Sequence, residues 1–279
     1  MKVGAARLFK SLRSRGLHEF ESFRSKGLYE GVRLVTDRAT QRLCVSYFRT
    51  AMRPSLHQLA GGARSMHMSA VDMVRHAFPG IPPSDLAKIE GEYSVLQAEL
   101  AGRCATMRDR LEYPQWYAIE RETSFLIYAV CRLLAPGNVL ETGVANGHST
   151  FFLLQAMMKN GRGRLHSVDI SSNVGQLLTD EERAAWSLHV LTSPQRRSFA
   201  RVVDTVSPID MFLHDSDHTY GWQAFEYRVA HARLSPEGVL LSDDVDHSLA
   251  FLDFCTALGR KPILLLDTRK VCGLLLPAT

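Results

Sequence analysis

No apolar run in the 279-residue sequence reaches the ~18 residues that a membrane-spanning helix needs. Even Thr123 to Cys131 is stopped by Arg132. The five cysteines, at 44, 104, 131, 255 and 272, show no CxxC spacing, and most sit inside apolar segments. That excludes a disulfide framework or a zinc ribbon and predicts reduced, buried thiols in a cytoplasmic setting. The dinucleotide pattern GxGxxG and the GK[ST] phosphate loop are both missing, as are internal repeats and low-complexity tracts.

What is present describes a chain able to bury a core. Apolar residues make up 46% and charged residues 22%, ordinary proportions for a globular protein. The length suits one large domain, or a domain with a substantial appendage. The net charge of +4 hides an asymmetry. Residues 1 to 64 carry 13 basic and 4 acidic side chains (+9), whereas residues 65 to 279 carry 20 and 25 (−5). Met1 to Gly16 has five basic residues and no acid, a composition shared by presequences, surface-binding amphipathic helices and solvated helices. A solvated or partner-packed helix is the preferred reading, because charge runs are usually solvated faces. Its apolar portion is too weak for a secretory signal. The basic part also invites an RNA-binding reading, but little aromatic interleaving and no RNA module accompany it, so nucleic acid is not favoured.

Residues 1–113 read as a helical N-terminal region. Apolar residues recur at helical spacing from Val32 to Phe48 and again through Leu86, Ile89, Tyr93, Leu96, Leu100 and Met107, with turns at Gly61-Gly62 and Pro79 to Pro83. Such a region could supply a lid, substrate contacts or a homodimer contact. Residues 114–279 change character. After a helix predicted over 114–134, strands are predicted at 139–142, 164–170, 188–191, 209–214, 238–242, 262–266 and 271–276. Helices fall near 149–160, 173–186, 195–206 and 220–234. Strands alternating with helices imply right-handed crossovers and a parallel sheet. The last two strands are separated only by Asp267 to Lys270, too short for a crossover, so they should form an antiparallel hairpin. The expected fold class is α/β: a Rossmann-like, doubly wound seven-stranded sheet with one reversed strand.

Ligands in such sheets bind beyond the carboxyl ends of the strands. After the first strand comes Glu141-Thr142-Gly143-Val144-Ala145-Asn146-Gly147-His148-Ser149. Here Gly143 and Gly147 allow a tight turn, and Ser149 can cap the following helix. The second strand ends at Asp169, an acid suited to ribose hydroxyls; with Glu141 it favours a nucleoside carrying positive charge. Beyond the fourth strand stand Asp215 and His218, and beyond the fifth Asp243 and Asp244. If those strands are neighbours, three carboxylates crowd together and raise one another's pKa unless a cation joins them. Hard oxygen ligands select Mg²⁺, Ca²⁺ or Mn²⁺. His218 is suited to accept a proton.

Taken together, Glu141 to Gly147, Asp169, Asp215 to Tyr220 and Asp243-Asp244 resemble the class I S-adenosylmethionine-dependent methyltransferases over residues 114–279, and within them the metal-dependent O-methyltransferases of catechol, coenzyme A and sugar type. Asp244 stands where the first two types have Asn, which points to the sugar-modifying branch. The resemblance implies S-adenosylmethionine bound by Glu141, Gly143, Gly147, Ser149 and Asp169, with Thr123 and Ser124 near its methionine end. It implies a divalent cation, Mg²⁺ by preference, on Asp215, Asp243 and Asp244. His218, with Asp215, would then serve deprotonation of a hydroxyl on a small molecule or glycan. The competing readings are an RNA methyltransferase, an NAD-dependent oxidoreductase on a similar sheet, and a non-catalytic module that has kept the cofactor pocket.

Overall fold

The computed structural model describes residues 53–278, which lie within one compact unit. The basic segment and the helical periodicity from Val32 to Phe48 fall outside the described residues. In chain order, helix α1 (Leu56–Gly62) is followed by strand β1 (Ser65–His67) and helices α2 (Ala70–Ala77) and α3 (Pro83–Thr106). Local chemistry sets these starts. Ser55 and Gln58 form a reciprocal capping box on α1, Ser69 caps α2, and Pro83 occupies the first turn of α3, where no N–H partner is needed. Leu86, Ile89, Tyr93, Leu96 and Leu100 are buried, making the face of α3 that its periodicity predicts.

Two 3₁₀ turns (Arg108–Arg110 and Gln115–Tyr117) lead to α4 (Arg121–Leu134). The alternating part then runs β2 (Asn138–Thr142), α5 (His148–Asn160), β3 (Arg164–Asp169), α6 (Asp180–Ala184), β4 (Trp186–Val190), α7 (Gln195–Val206) and β5 (Ile209–His214). It closes with α8 (Tyr220–His231), β6 (Leu234–Ser242), α9 (Ala250–Ala257), β7 (Ile263–Leu266) and β8 (Val271–Leu275). The sheet order is β1-β7-β8-β6-β5-β2-β3-β4, with β8 antiparallel to both its neighbours and every other pairing parallel.

Successive residues of a strand face opposite sides, and the two cores follow that alternation. Val139, Leu165, Met211, Leu213, Val239 and Leu241 point toward α2 to α5. Leu140, Val168, Phe212 and Leu240 point toward α1, α7, α8 and α9. Both faces of the sheet are covered, which is why its central strands read as near-continuous apolar runs. The strand order reverses direction between β2 and β5, and a crevice opens there beyond their carboxyl ends.

The sheet has eight strands where seven are expected. The added one, β1, pairs in parallel with β7 and has only three residues, too few for alternation to show. It belongs to the segment read as purely helical, and α3 packs on α4 and α5. The described part of residues 1–113 therefore shares the core of residues 114–279, and the boundary expected at 113 is not a division of the fold. Arg103 on α3 reinforces this by pairing with Glu182 on α6, a carboxylate that is 2% exposed. The helix expected over 173–186 shrinks to α6: Gly175, at φ 73°, lies so close to Trp186 that a Cβ would stand 3.0 Å from the indole. The helix expected from residue 114 starts at Arg121, after an extended Glu120. No helix among the described residues is long and apolar enough to cross a membrane.

Gly273 on β8 offers a test of this packing. A Cβ there would lie 2.2 Å from a ring carbon of buried Phe251. Gly273→Ala should destabilise the fold by about 1–3 kcal/mol through overpacking, measured as a lower urea midpoint with unchanged slope.

Candidate functional site

The turn after β2 is built by contacts that leave no room for side chains. Gly143 has φ 79°, and a Cβ there would sit 2.0 Å from the carbonyl oxygen of Asp215. Only glycine lets the ends of β2 and β5 come this close. The Gly143 N–H donates to the Val168 carbonyl at 2.9 Å. Gly147, at φ 93°, precedes α5 and packs against Gly175. Asp169 closes the turn, accepting from the Val144 and Ser171 N–H groups at 2.9 Å each.

Glu141 lies beneath this turn rather than in the crevice. It is fully buried and accepts hydrogen bonds from the hydroxyls of Ser149 (2.6 Å), Thr150 (2.8 Å) and Ser167 (2.6 Å). Burial pushes its pKa up to about 7, and the three hydroxyls limit the rise. These bonds support the loop from below, and Glu141 does not line the crevice as the sequence expectation had it. Thr123 and Ser124 are corrected as well. Both are buried: Thr123 donates from its N–H and hydroxyl to Asp267, and the Ser124 hydroxyl bonds Tyr93, so neither lines the crevice.

A cavity of about 720 Å³ occupies the crevice. At one end it is lined by Gly143, Val144, Ser149, Asp169 and Ile170, and at the other by Asp215, His218, Asp244, His247 and Lys270. Tyr113, Trp116 and Tyr117 form an aromatic side, with Trp116 and Tyr117 stacked and largely exposed. Asn146 pins this segment to the glycine turn: its side chain accepts from the Tyr113 N–H (3.1 Å) and donates to the Tyr113 carbonyl (2.7 Å). Sequence reasoning missed the aromatic side, although three aromatic residues within Tyr113 to Tyr117 were a visible signal. It also missed His247 and Lys270, whose place depends on the pairing of β8.

Parallel pairing of β5 with β6 brings the acidic residues to one edge, with His214 opposite Ser242. The Asp243 N–H donates to the His214 carbonyl, and the Asp215 N–H to the Thr142 carbonyl, each at 2.9 Å. Beneath them buried His214 meets Glu226 at 2.6 Å, and Glu226 also accepts from Thr142 and Trp222. At the edge itself the Lys270 ammonium lies 3.0 Å from Asp243 Oδ2 and 2.9 Å from Asp244 Oδ2. His218 Nδ1 approaches Asp244 Oδ2 at 3.2 Å, and His247 Nδ1 approaches Asp244 Oδ1 at 3.2 Å. The two imidazoles stack with centroids 5.4 Å apart. Asp244 itself takes a left-handed backbone, φ 52°.

The electrostatics follow from this crowding. Burial, then Asp243, holds Asp215 well above the carboxylate range, and burial, then Asp244, raises Asp243. Burial also penalises ionised Asp244, but His218 and Lys270 more than offset it, so its pKa is lowered. Lys270 is raised because its three acidic neighbours outweigh its burial. Burial, reinforced by His214, pushes His218 down to about 3. Its Nε2 is buried without a hydrogen-bond partner and lies 3.8 Å from Asp215.

The three aspartates therefore converge as expected, but the oxygens of two of them that face each other are joined by a lysine. Asp243 is fully buried and lies outside the cavity lining. As the chain stands, Asp215, Asp243 and Asp244 do not fit the shared divalent ion of the sequence expectation, because an ammonium already sits between two of its ligands. Ligand atoms of His218, Asp244 and His247 do lie within 4.8 Å of one another, a mixed nitrogen and oxygen grouping.

Residues 140–245 match a family model described as a methyltransferase domain. No curated relative matches the chain. Among solved structures, the O-methyltransferase TomG from Streptomyces achromogenes, involved in tomaymycin synthesis and solved with S-adenosylmethionine (SAM), is 17% identical with a TM-score of 0.50, covering 64% of this chain and 89% of that one. An O-methyltransferase from Bacillus cereus, solved with S-adenosylhomocysteine (SAH), is 13% identical with a TM-score of 0.47, covering 75% and 98%. MycE of the mycinamycin pathway, solved with Mg and SAH, is 15% identical with a TM-score of 0.34, covering 45% and 31%. Of these, TomG supports an argument about fold: this chain shares its sheet fold.

The raised pKa of Glu141 makes a signed expectation. Between the ordinary carboxylate value of 4.5 and about 7 the folded state holds a proton that the unfolded state has lost. Stability should therefore fall as pH rises through that window, by on the order of 3 kcal/mol from this residue. Glu141→Gln should flatten that part of the melting temperature against pH curve, read as the difference from the unaltered protein.

Proposed function

We propose that this chain is an S-adenosylmethionine-dependent methyltransferase and that it delivers the methyl group to a hydroxyl oxygen of a small molecule or glycan, at the edge formed by His218, Asp244 and Lys270. One observation carries the reading: a single cavity has the glycine turn and Asp169 at one end and, at the other, the partly buried ring of His218, whose Nε2 is a buried atom without a hydrogen-bond partner. The cofactor end fits SAM. The turn at Gly143 and Val144 exposes backbone to the cavity, and each Asp169 oxygen uses one acceptor site on the loop, leaving another for a ribose hydroxyl. When bound, SAM supplies an electrophilic methyl on a sulfonium.

The chain's own residues supply position and proton removal. The cavity wall holds an acceptor oxygen between the cofactor end and His218, and in-line placement of reacting atoms accounts for much of such a rate enhancement. Burial keeps His218 neutral, and Asp244, lying against the ring, raises its basicity against that burial. With a proton on Nδ1, the nitrogen facing Asp244, Nε2 keeps its lone pair as an acceptor; Asp244 then stabilises the imidazolium as it forms. Tyr113, which Asn146 holds, and the neighbouring Trp116 and Tyr117 cover one side of the cavity. Excluding water there favours a step in which an oxyanion and a sulfonium cancel charge. No part of this sequence of events is routed through a divalent ion, since Lys270 stands between Asp243 and Asp244.

Calorimetry on the full chain should show SAH binding and no NADH binding, which separates this reading from an oxidoreductase. Asp169→Ala should weaken SAH by about tenfold or more, the scale of a lost charged hydrogen bond. His218→Ala should leave SAH affinity unchanged and lower kcat by about 10²- to 10⁴-fold, measured with labelled SAM and a panel of hydroxylated acceptors. Failure of the unaltered chain to bind SAH would sink the proposal.

A further inference from the structure

Lys270 reaches the acidic edge because β8 runs backwards. Every other strand ends at this edge, whereas β8 begins there, so the residue just before it is delivered among the residues that follow β5 and β6. The backbone around Lys270 is fastened on three sides. Its carbonyl accepts from the Asp267 N–H at 3.0 Å, the Val271 N–H donates to Asp246 Oδ1 at 3.0 Å, and the Val271 carbonyl accepts from the Val245 N–H at 2.9 Å. The side chain is 14% exposed, and its ammonium is within 3.0 Å of two carboxylates that are themselves 0% and 4% exposed. It is also part of the cavity wall.

We propose that Lys270 is the resident cation of this edge: a tethered ammonium that occupies the place between Asp243 and Asp244 where a divalent ion would otherwise be shared. It acts as a positioning residue. Two like-charged carboxylates that follow one another in the chain would repel; the ammonium draws one oxygen of each toward itself and so sets the Asp244 face presented to His218 and His247. A lysine suits this use because it is a compact point charge with three donors, two spent on the aspartates and one left toward the cavity. One oxygen of each aspartate, Asp243 Oδ1 and Asp244 Oδ1, is buried without a hydrogen-bond partner, so removing the ammonium would leave a vacated pair of carboxylates able to take a divalent ion. The proposal deepens the functional reading above, on which it depends for the claim that this edge is where transfer occurs.

The test is Mn²⁺ titration of the full chain, followed by electron paramagnetic resonance, with the near-ultraviolet circular dichroism of each variant as a check on folding. The unaltered chain should bind Mn²⁺ weakly, and EDTA should leave methyl transfer unchanged. Lys270→Met and Lys270→Gln should each bind Mn²⁺ at least about tenfold more tightly, as expected on removal of a like charge within ~3–4 Å of the ion. Adding Asp244→Asn to either should abolish that gain, and Lys270→Arg, which keeps the positive charge, should bind Mn²⁺ as weakly as the unaltered chain. Tight Mn²⁺ binding by the unaltered chain overturns the proposal, including binding lost in His247→Ala, which would assign the ion to His218, Asp244 and His247. Folded Met and Gln variants that gain no affinity overturn it too; if neither folds, the unaltered chain's Mn²⁺ affinity and EDTA response decide. SAH binding by the same samples reports on the methyltransferase reading separately: retained SAH binding with no Mn²⁺ gain removes only the role of Lys270, whereas loss of SAH binding in the unaltered chain removes the functional reading.

Discussion

Compensation of buried negative charge is the constraint on which this site depends. Ionised carboxylates are costly in a low-dielectric interior unless they are paired or hydrogen-bonded, and Glu141, Glu226, Asp243 and Asp244 are all nearly or fully buried. Each meets the cost differently. Glu141 gathers three hydroxyls; Glu226 gathers His214, Thr142 and Trp222; Asp243 and Asp244 share Lys270. These solutions also do geometric work, because partners come from other elements of the fold. Glu141 ties β2 to β3 and α5, and Glu226 ties α8 to β2 and β5.

The polar floor is matched by loops with little freedom. Contact between Gly143 and the Asp215 carbonyl fixes the separation of two strand ends, and Asp169 fastens the loop from the other side. Asn146 then extends this rigid turn to the aromatic segment by a two-way hydrogen bond with Tyr113. A ligand entering the cavity meets a surface already arranged, with polar groups at its two ends and aromatic rings along one side. Preorganisation of this kind is what gives fixed dipoles and bases their catalytic value.

The alternation of strands and helices was legible in the chain from β2 to β6, since buried parallel strands are apolar throughout and their crossovers carry helical periodicity; α9, between β6 and β7, was not read. The reversed last strand followed from a connection too short to cross over. Less visible were β1, whose three residues carry no pattern, and α6, where Gly175 and Trp186 decide the path of a segment that composition alone reads as helix. At the site, Asp169, Asp215, His218 and Asp244 were recognisable because each follows a strand. Thr123 and Ser124 were misplaced because a position on a helix near the edge does not reveal which way its hydroxyl turns; here both turn inward, to Asp267 and Tyr93.

The sequence by itself determined the alternation of strands and helices from β2 to β6, the glycines that permit the tight turn, and the supply of acids at the carboxyl ends of β3, β5 and β6, because these are local properties of periodicity, backbone freedom and spacing. Only the tertiary structure decided how those acids are compensated. Lys270 is 26 residues from Asp244 along the chain and shares no motif with it; the antiparallel pairing of β8 with β6 brings an ammonium where linear spacing shows only carboxylates, and so changes the charge of the site.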